Sequence, residues 1–141
     1  MGGCDFITIK YNSAGVEQWI QRYNGPDNMD DIANLIAVDG SGNVYVTGEF
    51  WGTTDFDPGT GTYNLTSAGS QDIFILKLDS SGSFQWAKGL GLAGTELGLS
   101  MAIDISGNVY TTGIFQGTLD FDPGAGIFNL VSSGNYDVFI L

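Results

Sequence analysis

The chain of 141 residues carries 16 acidic and 4 basic side chains, a formal net charge of −12, with one cysteine and no histidine. This composition excludes histidine-based catalytic pairs, histidine-ligated zinc, intrachain disulfides and cysteine-based zinc or iron–sulfur sites. The negative charge repels phosphate backbones and anionic lipids, so we expect neither nucleic acid nor a membrane surface as a partner. The apolar runs are too short to span a bilayer, so no membrane insertion is expected.

Short β-strands are predicted along the whole chain, separated by turns rich in Asp and Gly. In chain order, the expected strands cover residues 5–11, 16–22, 33–39, 43–50, 72–78, 84–90, 99–104, 108–115 and the residues from 137 onward. No segment keeps a helical spacing of apolar residues for ten positions, so no helix is predicted.

A long internal repeat connects these strands. Residues 42–76 align without a gap to residues 107–141, at an offset of 65, and 23 of the 35 positions are identical. A second block repeats at an offset of 67, where residues 5–10 correspond to residues 72–77. We therefore predict a single propeller domain built from repeated units. The predicted units are residues 5–71, residues 72–136 and the start of a third at residues 137–141.

The strand at residues 72–78 is apolar on both of its faces, with Ile73 and Ile75 on one side and Phe74 and Leu76 on the other. Such a strand must be covered on both sides, and stacking like units around an axis achieves this. The predicted fold class is therefore all-β. It is a β-propeller-type repeat with about one complete four-stranded blade between two incomplete blades.

The predicted turns repeat as well. Residues 39–42, 79–82 and 104–107 each begin with Asp and end with Gly, and residues 12–15 are a variant that begins with Asn. We expect the Asp or Asn side chain to accept backbone hydrogen bonds and the Gly to adopt the left-handed conformation of a hairpin loop.

A second kind of turn is predicted where Asp-Pro-Gly occurs, at residues 57–59 and 122–124. Pro fixes φ and Gly tolerates positive φ, which is the signature of a type II turn. We therefore expect positive φ at Gly59 and Gly124.

Four motifs stand out in the repeat: Asp-x-x-Gly-Asn-Val-Tyr-x-Thr-Gly at residues 39–48, Asp-Phe-Asp-Pro-Gly at 55–59, Asp-x-Phe-Ile-x-Lys at 72–77 and Gly-x-x-x-Trp at 82–86. Together they resemble the bacterial β-propeller repeat family called SBBP. The resemblance implies a seven-bladed propeller of the kind found mostly in large secreted or cell-surface bacterial proteins. It brings no established catalytic residues. This chain has too few repeats to close a ring.

Paired carboxylates are the first candidate site. Asp55 and Asp57, with their copies Asp120 and Asp122, form the pattern Asp-x-Asp-x-Gly. Oxygen ligands at alternate positions suit Ca²⁺, so these four residues are candidate Ca²⁺ ligands; no other cofactor is indicated. The alternative, turn aspartates, is favoured because the Glu that closes an EF-hand loop is missing. Glycosidases also use two carboxylates, but these pairs recur in each repeat, whereas a catalytic site is normally unique.

A second acidic group, Asp27, Asp30 and Asp31 together with Asn28, could hold a cation or form a solvated loop between blades. Trp51 is the candidate ligand-binding residue, because its counterpart in the repeat is Gln116. A non-recurring aromatic side chain could stack on a sugar or a peptide, or it could be a half-exposed surface residue.

Most other aromatic side chains recur at equivalent positions, and we expect such side chains to pack between blades. The recurring pairs are Trp19 and Trp86, Tyr45 and Tyr110, Phe50 and Phe115, and Phe56 and Phe121.

These observations favour a non-catalytic structural or interaction module over an enzyme. The expected partners are other repeats of the same protein, further copies of this chain, or a protein or carbohydrate ligand. Two alternatives remain: a carbohydrate-active propeller enzyme and a Ca²⁺-stabilised ligand-binding propeller.

The chain is expected to be a fragment of a larger protein, because it begins with the last two strands of a blade and ends inside an apolar strand. In isolation, we expect head-to-tail oligomers, a closed ring of several copies or aggregation. The family resemblance implies an extracellular or cell-surface location, although the first residues lack the basic and apolar regions of a signal peptide.

Overall fold

A computed structural model describes residues 3–27 and 29–141, so Asn28 of the second acidic group lies outside the described residues. These residues form strands β1 (Phe6–Tyr11), β2 (Glu17–Tyr23), β3 (Asp31–Val38), β4 (Val44–Asp55), β5 (Asn64–Leu78), β6 (Phe84–Leu90), β7 (Glu96–Ile103), β8 (Val109–Phe115), β9 (Thr118–Asp120), β10 (Asn129–Val131) and β11 (Asp137–Ile140). Within this part of the chain, no helix has the length and hydropathy needed to cross a bilayer.

The strands form antiparallel sheets that correspond to three successive blades. Strands β1 and β2 make the first, β3-β4-β5-β6 make a complete four-stranded second blade, and β7, β8 and β11 make a third. Strands β9 and β10 form a separate hairpin beside the third blade. The predicted fold class is confirmed: one complete propeller-type blade lies between two incomplete ones.

The second blade carries a hydrophobic layer on each face. Phe74 is fully buried on the side of the first blade, where its ring lies 5.0 Å from those of Phe6 and Phe56. Ile73 and Ile75 are buried on the opposite side, in a layer shared with the third blade. The prediction that residues 72–78 are covered on both faces is thus confirmed, and it explains the apolar pattern of β5.

The hairpin turns have the predicted geometry. Gly15, Gly42, Gly82 and Gly107 all have positive φ, between 76° and 85°. In the first of the Asp-x-x-Gly turns, Asp39 Oδ1 accepts hydrogen bonds from the backbone N–H groups of residues 41 and 43, at 2.9 and 3.0 Å. These bonds satisfy the donors that a tight turn would otherwise leave unpaired.

The type II prediction for the Asp-Pro-Gly turns is wrong, because neither Gly59 nor Gly124 has positive φ. Instead, the Gly59 N–H donates to Asp57 Oδ1 at 2.8 Å, and the Gly124 N–H donates to Asp122 Oδ1 at 2.7 Å. The Asp side chain therefore closes the turn by itself and removes the need for a left-handed glycine.

Strands β4 and β5 extend furthest beyond their predicted ranges. Strand β4 continues beyond Phe50 to Asp55, and β5 begins at Asn64, so that the two strands form a long projecting hairpin. The pairing register shifts near Gly52, where φ is +63° and the N–H donates to Ser67 Oγ. In the next repeat, the corresponding hairpin is the separate β9–β10 pair. The apolar pattern stops at this irregularity, which is why the sequence did not reveal the extension.

Candidate interaction faces

The first blade leaves one apolar face open. Ile7 and Tyr11 on β1 are 46% and 56% exposed. At an offset of 67 they correspond to Phe74 and Leu78 of the second blade, and both of those are fully buried under the first blade. The open face of the first blade is therefore the kind of surface that another blade covers when one is present.

The third blade leaves the opposite kind of face open. Val138 and Ile140 on β11 are 73% and 82% exposed. At an offset of 65 they correspond to Ile73 and Ile75, which are buried where the third blade covers the second. A matching blade would cover this face in the same way.

One recurring aromatic residue departs from the prediction for the same reason. Tyr45 is fully buried between blades, whereas its copy Tyr110 is 49% exposed on the third blade. Both hydroxyls donate to the Asp of their own turn, Tyr45 to Asp39 and Tyr110 to Asp104, at 3.3 Å. The local structure is therefore the same, and the two tyrosines differ in whether a further blade of the described chain packs against them.

The contact between the first and second blades shows how one blade recognises the next. The Lys10 ammonium donates to the carbonyl oxygen of Ser80 at 2.8 Å, and the indole N–H of Trp19 donates to the same oxygen at 3.3 Å. Gln21 donates to the carbonyl oxygen of Gly82 at 2.8 Å. Side chains of the first blade thus bind the backbone of the β5–β6 turn of the second.

The Asp-x-Asp-x-Gly residues lie in the loops that close the projecting hairpins. Asp55 Oδ1 accepts hydrogen bonds from the backbone N–H groups of Asp57 and Tyr63, at 3.0 and 2.8 Å. The copy is built alike, since Asp120 Oδ1 accepts from the N–H groups of Asp122 and Phe128. These backbone donors hold the pKa of Asp120 below its usual range. Each pair stabilises its own loop, and Ca²⁺ binding there stays a prediction.

The described residues of the second acidic group, Asp27, Asp30 and Asp31, do not share a common binding point. Asp27 Oδ2 accepts from the backbone N–H of Thr53 at 2.9 Å, and Asp30 Oδ1 accepts from that of Cys4 at 2.7 Å. Asp31 is buried, and its carboxylate accepts hydrogen bonds from Thr54 Oγ1. Within residues 3–27 and 29–141, no cluster of three or more His, Cys, Asp or Glu side chains is arranged to hold a metal ion.

Trp51 lies on β4, half-buried, opposite Gln71 on β5. Its role as a ligand-stacking residue stays a prediction.

Buried acidic residues are the feature that the sequence did not reveal. They are Asp31, Glu49, Asp72 and Glu96. Burial raises the pKa of Asp31 to about 6, although both of its oxygens accept hydrogen bonds from Thr54 Oγ1. Burial and the neighbouring Asp72 carboxylate raise the pKa of Glu96 to about 7. Asp31 and Glu96 are equivalent residues in the repeat, at an offset of 65. This recurrence of an acid at one position is the sequence feature that could have indicated a structural role for both residues.

Glu49 accepts a hydrogen bond from Asn34, whose amide group also bonds to the third blade. The Asn34 amide donates to Glu49 Oε1 at 2.7 Å and to the carbonyl oxygen of Gly98 on the third blade at 3.0 Å. Burial raises the pKa of Glu49, and this hydrogen bond opposes the rise.

Comparison with known proteins relates this arrangement to propeller repeats. A family model described as SBBP, beta-propeller repeat, matches residues 18–57. A regulatory protein of Caulobacter vibrioides, FlaEY, is 31% identical over 129 residues, which are 89% of this chain and 13% of that protein. An uncharacterized WD repeat-containing protein of Acanthamoeba polyphaga mimivirus is 39% identical over 57 residues, which are 40% of this chain and 4% of that protein.

Proposed function

Since residues 18–57 carry a β-propeller repeat of the SBBP family, typical of repeat-type interaction modules, we propose that this chain is a non-catalytic interaction module. Its two open faces bind further blades of the same kind. Those blades belong either to a larger protein or to another copy of this chain.

The observation that carries the proposal is the equivalence of open and covered faces. Ile7 of the first blade corresponds to buried Phe74, and Val138 of the third corresponds to buried Ile73. The two open faces are therefore the two complementary sides of the contact that already joins blades within the chain. A head-to-tail contact of this type is heterologous and can extend or close into a ring.

A larger parent protein is the second part of the proposal. The chain spans only 13% and 4% of the lengths of the two curated relatives. A propeller needs at least about four blades to close, more than the described strands provide. We place the parent protein outside the cell or on its surface, as the family resemblance implies. Labelling of intact cells with an antibody against this domain tests that location.

The absence of catalysis belongs to the proposal as well. The acid pair Asp55 and Asp57 recurs as Asp120 and Asp122. Oδ1 of Asp55 and Oδ1 of Asp120 each already accept two backbone hydrogen bonds. A carboxylate held in this way supports a turn and is poorly placed to exchange protons with a substrate.

Blocking one face at a time tests the proposed contact. Ile7→Asp places a charge on the first-blade face, and Val138→Asp places one on the third-blade face, both at exposed positions. Each variant alone should lose self-association. An equimolar mixture should form a one-to-one dimer, because each partner keeps the face that the other lacks.

The matched control is a mixture of Ile7→Asp with Tyr11→Asp, two variants blocked on the same face. This mixture should stay monomeric in sedimentation velocity. If Ile7→Asp and Val138→Asp self-associate as the parent chain does, or if their mixture contains no dimer, the proposed contact is wrong.

A further inference from the structure

A buried pair of carboxyl groups lies where the second and third blades meet. An isolated parallel bridge joins Gln71 and Thr95, and it places the residues that follow, Asp72 and Glu96, side by side. Asp72 belongs to β5 of the second blade, and Glu96 begins β7 of the third. Both side chains are more than nine-tenths buried. The pair thus spans a contact between blades.

Three oxygens of this pair have no donor at hydrogen-bond distance and angle, although the backbone N–H of Leu92 lies near Glu96 and limits the rise of its pKa. Asp72 Oδ2 accepts from the backbone N–H of Ala68 at 3.1 Å, but Asp72 Oδ1 and both carboxyl oxygens of Glu96 are buried without a partner. Unpaired buried oxygens are destabilising, and two adjacent carboxylates repel each other when both are ionised. A positively charged ligand would relieve both costs.

The loop between β6 and β7 closes over the pair, and two of its residues, Gly91 and Gly94, lie against the carboxyl groups. A Cβ atom at Gly91 would overlap the Asp72 carboxylate. A Cβ atom at Gly94 would lie 2.6 Å from Glu96 Oε1 and would meet the carbonyl oxygen of Gln116. The glycines therefore let the loop backbone approach the two carboxyl groups, and the Gln116 carbonyl oxygen borders Gly94 on the same side as Glu96 Oε1.

Asp72 also lines a surface cavity of about 280 Å³. The cavity reaches the Asp72 side of the pair from solvent. Lys88 lines the same cavity but donates to neither oxygen of Asp72, whose Oδ1 has no partner. The negative charge of the pair is not balanced by a hydrogen-bonded lysine.

The equivalent pair at the first junction has its own donor. Asp5 and Asp31 correspond to this pair in the repeat. Thr54 Oγ1 donates to both oxygens of Asp31, at 2.9 and 3.0 Å. The residue equivalent to Thr54 is Leu119, which has no hydroxyl to offer Glu96. An acid pair recurs in the sequence, but Asp5 of the first pair is exposed, whereas both acids of the second pair are buried and lack the internal donor.

We propose that Asp72 and Glu96 bind a hard divalent metal ion of the Ca²⁺ class, which clamps the third blade to the second. Carboxylate and carbonyl oxygens are the ligands such ions prefer, and one divalent ion balances the two carboxylates. The site is separate from the Asp-x-Asp-x-Gly loops, whose carboxylates bond to their own backbone. The inference does not depend on the proposed interaction with further blades.

Thermal unfolding with and without CaCl₂ tests the site. The full chain is compared at pH 8 and fixed protein concentration, in EDTA and in millimolar CaCl₂, with Asp72→Asn and Glu96→Gln as near-isosteric variants. Ca²⁺ should raise the midpoint temperature of the parent chain by about 3 °C or more. Either substitution should abolish the rise. The double variant Asp57→Asn/Asp122→Asn, which can keep the turn hydrogen bonds, should show the full rise.

Calorimetric titration with CaCl₂ should give one ion per parent chain, and none for Glu96→Gln. The inference is overturned if Ca²⁺ changes neither the midpoint temperature nor the heat of titration. It is also overturned if the Ca²⁺ effect survives in Glu96→Gln but disappears in Asp57→Asn/Asp122→Asn.

Discussion

The indole of Trp19 lies directly against Gly82, so that a Cβ atom on this glycine would be 2.8 Å from Trp19 Cδ2. Gly82 also needs positive φ, +85°, to close the β5–β6 turn. One glycine therefore serves both the turn and the contact with the neighbouring blade.

Replacement of this glycine separates the two roles. Gly82→Ala should lower the free energy of unfolding by about 1–2 kcal/mol for positive φ and by about 1–3 kcal/mol more for the clash with Trp19. Gly15→Ala is the matched control, because Gly15 has φ of +76° and nothing within 4 Å of its Cβ position. Urea denaturation of both variants checks the difference. Equal losses would show that the tryptophan contact contributes nothing.

Phe74 tests the packing of the second blade. The ring is fully buried and lies 5.0 Å from Phe6 and from Phe56. Phe74→Ala should cost about 3–5 kcal/mol, because the cavity would open in the layer between two blades. Phe128→Ala is the control at an exposed aromatic residue and should change stability little. A loss below about 1 kcal/mol for Phe74→Ala, measured by urea denaturation, would contradict stacked blades.

These two results depend on features that the sequence revealed to different extents. The alternation around Phe74 and the spacing from Asp39 to Gly42 are local patterns, so they predicted a doubly covered strand and a hairpin turn. The docking of Trp19 on Gly82 joins residues 63 positions apart, and no local pattern indicates such a contact.

The buried acids were missed for a similar physical reason. Asp72 and Glu96 are charged residues beside a glycine-containing loop, a pattern typical of a solvated surface. Their burial arises because the loop backbone folds over them, which only the contact between blades determines. The long hairpin was missed because Gly52 interrupts the apolar pattern of β4 at the register shift.

Thr54 supplies the donor that keeps Asp31 ionisable. Thr54→Val preserves the shape of the side chain but removes both hydrogen bonds to the carboxylate. At pH 8, the loss of stability should be about 1–3 kcal/mol. At pH 5 it should be smaller, because the pKa of Asp31 rises further and the carboxyl group is protonated. Thr53→Val, at an exposed hydroxyl pair with Thr66, is the control and should change stability little at either pH.

Stability should fall as the pH rises from 5 to 8 in metal-free buffer. The pKa of Asp31 is raised from 3.8 to about 6 and that of Glu96 from 4.5 to about 7. The fold favours their protonated forms, so this stability is fully present below the unfolded values and is lost as the pH passes the folded values. We expect a decrease on the order of 3–4 kcal/mol over this range.

Urea denaturation at several pH values checks this dependence. Asp39 and Asp104 have pKa values below the usual range, so they stay ionised from pH 5 to 8 and contribute a constant amount. The double variant Asp31→Asn/Glu96→Gln should lose most of this dependence on pH, and the remainder comes from Glu49 and Asp72, whose pKa values burial also raises. A parent chain that is more stable at pH 8 than at pH 5 would contradict the assignment.

The central claim is that the open faces around Ile7 and Val138 bind further blades, and light scattering of the purified chain at several concentrations tests it most directly. We expect a mass well above 15.0 kDa that increases with concentration, or a discrete ring of several copies. A compact monomer of 15.0 kDa that unfolds cooperatively at every concentration would contradict the claim.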